Sequence, residues 1–511
     1  MFRPFKTSWK YLATVLRDVG ILFHIPGVMA LCSLPICLIA GEAYAILPFL
    51  LMSGLSIGIG QALYRFFKNA KQAQLRHALI TVALGWGLIP FLGAIPIIGI
   101  AMSTQAEPTL SLSYFKEPLN ALFEAFSGFT STGLSMAVNA AELPQSLQWW
   151  RSLMEWVGGV GVIVLMISVL EPSTDPYQLY SFEGRQKMIG LTLRSTTRNI
   201  WWIYCVYTVG GIFLLRILGM DWWGALNHGM TAISTGGFSI TGDSMAAYGS
   251  AVQIGIIVIM ILGAISFRVH SKLLRQKRLS VLWKDDQHRL LWLLLGFGGL
   301  LLLGERFLFL KQITGLQVFF QWTSALTTCG FAVTDEKGWS ITSKLLLAIA
   351  MVFGGASGST AGGLKLNRVD SLLRAISWRF QRLSLLPHQM MRYRLQQDLI
   401  TEAEANRRIE SAAVLGVLWI TLIISGVMVL LHVASPRYTL ADTLFEAASA
   451  LGSAGLSVGI THPQLSWVGK VVLILFMWMG RLEIIPVLAL LIWPITMLNR
   501  SLGQFAQKLR R

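Results

Sequence analysis

Thr130-Ser131-Thr132-Gly133-Leu134 is a short polar run closed by a glycine and a bulky apolar residue, and the chain writes the pattern three more times. The variants are Ser234-Thr235-Gly236-Gly237-Phe238, Thr327-Thr328-Cys329-Gly330-Phe331 and Gly452-Ser453-Ala454-Gly455-Leu456. Each follows a helix-like stretch of about 12 residues, which at 1.5 Å per residue reaches only about halfway through the hydrocarbon of a bilayer. Beyond each motif a second glycine recurs inside an apolar run. Gly159 and Gly263 lie 26 residues past Gly133 and Gly237, and Gly355 and Gly480 lie 25 past Gly330 and Gly455. Repeated units that cannot bury themselves are read together, and four in register imply four loops meeting on one axis.

The composition places the chain in a membrane. Its 511 residues are 54% hydrophobic and 13% charged, about half the charged fraction of an ordinary soluble domain. Apolar stretches long enough to span occur near 19–40, 43–64, 78–102, 151–170, 198–219, 250–268, 288–310, 343–363, 411–433 and 466–496, against the roughly 20 residues a spanning helix needs. The first leads directly into the second without a small-residue cleavage site, so it is expected to be retained. The expectation is an all-α polytopic membrane protein. It has ten transmembrane helices plus four re-entrant pore helices, as four pseudo-symmetric helix-pore loop-helix units around one pore. The parts are a two-helix hairpin (1–77), a first unit with its connection (78–197), a second (198–287), a third with a glycine-rich loop and connection (288–410) and a fourth with the tail (411–511).

A net charge of +17 raises the question of nucleic acid, and the location of the charge answers it. Lys and Arg gather in alternate connections: Arg65, Lys68 and Arg76; Arg185, Lys187, Arg194 and Arg198; Lys272, Arg275, Lys277 and Arg278; Arg368, Arg374, Arg379 and Arg382. The two terminal segments follow the same pattern, with Arg3, Lys6 and Lys10 at one end and Arg500, Lys508, Arg510 and Arg511 at the other. This is positive-inside asymmetry. It predicts cytoplasmic termini, glycine motifs on the outer side, and no nucleic-acid partner. Cys32, Cys37, Cys205 and Cys329 show no CxxC spacing, so neither a disulfide framework nor a zinc site is implied.

Non-helical backbone at mid-membrane depth is tolerated only where it lines a water-filled cavity or is buried in protein. A short helix entering from outside points the negative end of its dipole at the axis. Carbonyls beside Thr and Ser hydroxyls replace an ion's hydration shell. The candidate ion-binding residues are therefore Thr130, Ser131, Thr132, Gly133, Ser234, Thr235, Gly236, Gly237, Thr327, Thr328, Cys329, Gly330, Gly452, Ser453, Ala454 and Gly455. The fourth loop lacks the threonines of the others, so the ring is chemically uneven.

These residues, with Gly354-Gly355-Ala356-Ser357-Gly358-Ser359-Thr360-Ala361-Gly362-Gly363-Leu364-Lys365 and Gly480-Arg481-Leu482-Glu483, carry a resemblance. The chain resembles the Trk/Ktr/HKT superfamily of potassium-uptake proteins, most closely the bacterial Trk-type membrane subunit, over nearly its whole length. The resemblance implies a multi-pass protein of the bacterial inner membrane. It implies potassium as the transported ion with no covalent or organic cofactor, one filter glycine per unit, a homodimer with one pore per protomer, and a soluble nucleotide-binding ring on the cytoplasmic face.

The glycines Gly354, Gly355, Gly358, Gly362 and Gly363 interrupt the eighth span, and each interior glycine costs a helix roughly 1 kcal/mol relative to alanine. The alternatives are a loop under the filter, which in the family is the gating loop, and a close-packed glycine helix. A phosphate-binding loop fails because Leu364 stands where GxxxxGK[ST] needs lysine. Arg481 follows the fourth repeat glycine inside an apolar span, which calls for a cavity or a partner. It either faces the pore as part of the gate, pairs with Glu483 or another acid, or does both. Glu124 and Glu446 match between the first and fourth short helices, with Asn227 and Phe320 expected at that position in the others, and they read as supports for the loops. His228 reads as a packing or hydrogen-bonding residue rather than a ligand. The cytoplasmic segments 171–197 and 364–410 are solvated connections, membrane-lipid contacts or the docking surface of the ring.

No HExxH, nucleophile motif or membrane-embedded acid pair appears, so the chain is not expected to be an enzyme. The competing function is a secondary transporter coupling potassium uptake to sodium or protons.

Overall fold

The computed structural model describes residues 3–70, 75–104, 109–161, 193–309, 312–384, 386, 391–395 and 398–493. The end of the fourth expected span (162–170), most of the connection 171–197 and the basic tail from 494 onward lie outside the described residues.

The described fold is almost entirely helical. An N-terminal hairpin, α1 (Arg3–Ile39) and α2 (Ala43–Phe66), packs beside α3 (Leu75–Ser103). The hairpin turn carries Glu42, whose carboxylate accepts the backbone N–H groups of Gln145 (2.8 Å) and Ser146 (3.0 Å). It thereby supplies acceptors to the N-terminus of the first inner helix, where an anionic group is favoured by the helix dipole.

Each unit then reads outer helix, short helix, loop, inner helix. The first comprises α3, α4 (Pro118–Phe129) and α5 (Gln145–Val160). The second comprises α6 (Leu193–Ile217), α7 (Trp222–Ile233) and α8 (Ser250–Ala264), continued by α9 (Phe267–Gln276). In the third are α10 (Asp286–Leu308), α11 (Gly315–Leu326) and α12 (Ile341–Phe353), followed after a loop by α13 (Leu366–Leu383). The fourth holds α14 (Glu402–Val433), α15 (Leu440–Gly452), α16 (Trp467–Arg481) and α17 (Ile485–Trp493).

The short helices start where their sequences say they should. Pro118 occupies the first turn of α4, where its missing N–H costs nothing. Asp221 caps α7, while α11 and α15 open with capping boxes, Thr314 with Gln317 and Thr439 with Asp442. These caps satisfy orphan N–H groups at the outer end and leave the C-terminal carbonyls to face inward.

Among the described residues six helices are long and apolar enough to cross a membrane, α1, α2, α3, α6, α10 and α14, and two bent pairs, α8 with α9 and α16 with α17, are so only when taken together. The spans expected near 250–268 and 466–496 are therefore not continuous: they turn through 102° and 115° at Ile265–Ser266 and Leu482–Ile484. Helix α12, at 13 residues, stops before the glycine-rich segment. Leu51, Leu300 and Ile420 are exposed on the long helices, as apolar side chains facing lipid would be. The segment 364–410, expected as a solvated connection, a lipid contact or a docking surface, holds the 18-residue helix α13 and a two-stranded antiparallel hairpin, Tyr393–Leu395 with Asp398–Ile400.

Candidate ion pore

The four loops share one backbone conformation. Two residues before each glycine, Ser131, Thr235, Thr328 and Ser453 have φ between 51° and 53°. The glycines themselves have φ of 93° at Gly133, 87° at Gly237, 90° at Gly330 and 84° at Gly455. The intervening residue donates its N–H to the carbonyl five residues back, Thr132 to Ser127, Gly236 to Thr231, Cys329 to Ser324 and Ala454 to Ser449, each at 2.9 Å. Those acceptor residues are Ser or Thr in all four units, a repeat position that sequence reading passed over.

The loops close into a ring by contact. A Cβ on Gly133 would lie 2.1 Å from the carbonyl oxygen of Gly236, one on Gly237 2.2 Å from that of Cys329, one on Gly330 2.3 Å from that of Ala454, and one on Gly455 2.1 Å from that of Thr132. Each glycine thus abuts the carbonyl that precedes the next unit's glycine, and the fourth returns to the first. Glycine is required twice over, for its left-handed φ and for the approach. The four carbonyls of Thr132, Gly236, Cys329 and Ala454 accept no hydrogen bond from the described residues. Buried backbone acceptors are normally paired, so a ring of four free ones is chemically a cation seat. A cavity of about 150 Å³ opens onto Gly133, Gly237 and Gly330, with Arg151 and Ser239 in its wall.

Most loop hydroxyls are engaged elsewhere, while Ser453 Oγ is buried with no partner among the described residues. Thr130 and Thr327 donate to the carbonyls of Phe126 and Thr323, each at 2.7 Å, and Ser131 donates to the carbonyl of Glu155 at 2.9 Å. Thr328 Oγ1 accepts from the N–H of Gly362 at 2.6 Å. The carbonyls, rather than these hydroxyls, remain for an ion.

Behind the ring a polar side chain in each short helix accepts the N–H three residues past the glycine. Glu124 takes that of Met136 (2.7 Å), His228 that of Ile240 (3.4 Å), Gln321 that of Val333 (3.3 Å) and Glu446 that of Val458 (3.1 Å). The counterparts of the two glutamates are therefore His228 and Gln321, one residue beyond the expected Asn227 and Phe320. All four lie nine residues before their glycines. Aligning the motifs on the glycine would have found this. His228 takes the hydrogen-bonding role, one of the two expected for it.

The supports differ in charge. Glu124 pairs with the buried Arg151 at 2.6 Å, and Arg151 also donates to the carbonyl of Ser239 at 3.0 Å, joining the first and second loops. Glu446 has neutral donors, Ser457 (2.7 Å) and the N–H groups of Val458 and Thr461. Glu155, on the first inner helix, accepts the N–H of Phe238 at 3.0 Å and stands 2.3 Å from where a Cβ on Gly236 would be. Sequence reading missed Arg151 and Glu155, although ionisable residues in an apolar helix are the signal that marks them.

Beneath the ring the glycine-rich segment is a loop from Gly354 (φ 69°) to Lys365 (φ 76°), which excludes the close-packed helix. It touches every unit. Gly362 donates to Thr328 of the third loop (2.6 Å), Gly363 to the carbonyl of Gly452 in the fourth (3.0 Å), and Thr360 Oγ1 to that of Ile233 in the second (3.0 Å). Arg481 completes the set: its guanidinium donates to the carbonyls of Thr360 (2.9 Å) and, in the first unit, Gly159 (2.7 Å) and Gly158. Glu483 is not its ion-pair partner. That carboxylate goes to Arg368, which also donates to the carbonyl of Leu364 at 3.0 Å.

The second glycines divide in role. A Cβ on Gly480 would lie 1.9 Å from the carbonyl of Leu451, and the same place against Phe129 is taken in the first unit by Gly158, at 2.5 Å. Gly159 packs instead on Ser234 of the second loop, and Gly355 lies within the glycine-rich loop against Ala361.

Residues 55–500 match the family model described as TrkH, cation transport protein. The chain belongs to the TrkH family. It is 31% identical to an uncharacterised cation transporter of Methanocaldococcus jannaschii, over 94% of this chain and 95% of that protein. It is 30% identical to the Trk system potassium uptake protein TrkH of Halomonas elongata, over 86% of this chain and 90% of the relative. The crystal structure of the potassium transporter TrkH from Vibrio parahaemolyticus superposes with a TM-score of 0.79 at 22% identity, covering 94% of this chain and 98% of that one. The shared TrkH fold extends over almost all of both chains.

Proposed function

We propose that this TrkH-family chain is a potassium-uptake pore of a bacterial inner membrane. The observation that carries the reading is the ring of four unpaired carbonyls, each set against the next unit's glycine. Potassium is the substrate, desolvated at the ring by Thr132, Gly236, Cys329 and Ala454, with Thr130, Ser131, Gly133, Ser234, Thr235, Gly237, Thr327, Thr328, Gly330, Gly452, Ser453 and Gly455 forming the rest of the filter. Carbonyl rings of this kind replace the hydration shell of a cation, and the potassium named for the Halomonas relative supports the choice of ion.

In the same proposal the loop Gly354–Gly363 is the barrier and Arg481 its latch. The loop is tied by hydrogen bonds to three units directly and to the first through Arg481. Flow then requires displacing it. Both termini are assigned to the cytoplasm from the charge pattern, and the five parts bounded at 77, 197, 287 and 410 are the units of the pore. A homodimer and a cytoplasmic nucleotide-binding ring complete the assembly. Helix α13 leaves the loop directly, with Leu373, Ile376 and Phe380 exposed, which supports it as the element such a ring would move.

The test is flux through purified protein in liposomes, comparing potassium, rubidium, sodium and lithium under an imposed voltage with no sodium or proton gradient. Passive potassium and rubidium flux exceeding sodium flux, and abolished in Gly330→Ser, is the expected result. Flux that appears only with a sodium or proton gradient would replace the pore by a coupled transporter, and the broken inner helices are the feature such a mechanism would use.

A further inference from the structure

The segment joining α8 to α10 takes no part in the ring, yet it is built for a surface. After the 102° bend, α9 and the single turn Val281–Lys284 lead from the apolar α8 into α10, which is long and apolar enough to cross a membrane. The bend sets α9 nearly perpendicular to α8, the orientation of a helix that rests on a membrane face. From Phe267 to Lys284 the sequence carries Arg268, Lys272, Arg275, Lys277, Arg278 and Lys284 and no acidic residue. Arg275, Lys277, Arg278 and Lys284 are exposed, and no acidic side chain among the described residues pairs with them.

Apolar side chains stand among these bases. Leu274 is 52% exposed, Leu279 72% and Trp283 60%. Trp283 lies 5.9 Å from Trp292 at the start of α10, and the Trp292 indole donates to the carbonyl of Leu282 at 3.2 Å. Tryptophans collect at the membrane–water boundary. A strip that exposes both leucines and uncompensated bases is matched by a surface that is apolar below and anionic above.

We propose that Arg275, Lys277, Arg278 and Lys284, with Leu274, Leu279 and Trp283, form a binding face for anionic phospholipid of the cytoplasmic leaflet, a placement that rests on the sidedness proposed above. The face is wired to the barrier. The N–H of Phe267, first residue of α9, donates to the carbonyl of Gly358 (2.8 Å), and Ala264 and Gly263 at the bend accept the N–H groups of Ala356 (3.0 Å) and Thr360 (3.2 Å). Lipid held by α9 therefore braces the loop from the membrane side.

The experiment measures binding of short-chain phosphatidylglycerol and phosphatidylcholine to the full-length protein in neutral detergent, so it does not depend on which ion the pore carries. Wild type prefers phosphatidylglycerol by about tenfold or more, since each surface base contributes roughly fivefold. The variant Arg275→Gln/Lys277→Gln/Arg278→Gln/Lys284→Gln loses that preference, and Arg275→Lys/Arg278→Lys keeps it. Equal phosphatidylglycerol binding by the glutamine variant overturns the proposal and leaves the bases to a protein partner. Wild-type binding that ignores headgroup charge overturns it as well. Should the glutamine variant not fold, a salt series on wild type decides: shortening the screening length from about 10 Å to about 4 Å must reduce the preference several-fold, and an unchanged preference rejects it.

Discussion

The ring of loops and the layer of inner helices below it come from the same four repeats and obey different rules. At the ring, φ two residues before the glycine varies by 2° across four unrelated local sequences. One layer down, α5 ends at Gly161, α8 bends at Ile265–Ser266, α12 gives way to a loop, and α16 bends after Arg481. An ion coordinated by carbonyls needs them equidistant, so the backbone is held alike even where the side chain preceding the glycine changes from Thr132 to Gly236, Cys329 and Ala454. Below the ring no symmetric ligand has to be held, and the asymmetric Gly354–Gly363 loop can cross the axis from one side only. In the proposed pore, symmetry therefore goes with the ion-binding layer and its loss with the barrier.

The strongest way to break this comparison is to substitute alanine at Gly133, Gly237, Gly330 and Gly455 in turn. Each added Cβ would lie 2.1–2.3 Å from the neighbouring carbonyl. Rubidium flux should fall roughly 100-fold or more in all four, the scale on which displacement by about 1 Å disables a positioned site. A variant retaining half of the wild-type flux would show that its unit is not an equal member of the ring.

The supports behind the ring should respond unequally, since only some carry charge pairs. Glu124→Ala leaves Arg151 buried without its carboxylate, a loss of about 3–5 kcal/mol. Glu446→Ala strands neutral donors and should cost about 1–3 kcal/mol. Unfolding temperatures in detergent compare the two, and equal losses would mean that the Arg151 ion pair adds nothing.

In the lower layer, Arg368 and Glu483 tie the start of α13 to the break after α16. A double-mutant cycle with Arg368→Gln and Glu483→Gln should return a coupling of about 1–3 kcal/mol in stability. Additive losses would detach the cytoplasmic helix from the fourth inner helix.

A smaller effect sharpens the third unit. Gln321 donates to Glu336, which lies in the outer connection beyond the ring. Burial, reinforced by Asp335 and Glu446, pushes the Glu336 carboxyl up to about 8 from its ordinary 4.5. The folded value lies above the unfolded one, so the contribution of this carboxyl to stability is full below pH 4.5, declines as pH rises and is lost above about 8. Glu336→Gln should flatten that decline, read as unfolding temperature against pH. An unchanged slope would mean that Glu336 does not titrate in this window.

The repeat was legible because its signals are local. Pro118, Asp221, Thr314 and Thr439 begin the short helices, and a glycine closes every loop. Glu124 and Glu446 were legible as supports, and their counterparts were placed one residue short, at Asn227 and Phe320, although each support lies nine residues before its loop glycine and six past the start of its helix. The partners of the barrier were less legible. Arg481 announces a need for a partner by standing in an apolar helix, but its acceptors, Thr360, Gly158 and Gly159, are backbone carbonyls that have no side-chain signature.

Sequence alone determined membrane residence, the four repeats, the glycine at each loop and the break after Phe353, because hydropathy, spacing and glycine content act within a few turns of chain. Tertiary structure decided that each glycine faces the next unit's carbonyl, that Glu483 pairs with Arg368, and that Gly158 rather than Gly159 matches Gly480. Those choices rest on contacts between segments from about 30 to more than 300 residues apart, where packing distance decides and no local pattern records the partner.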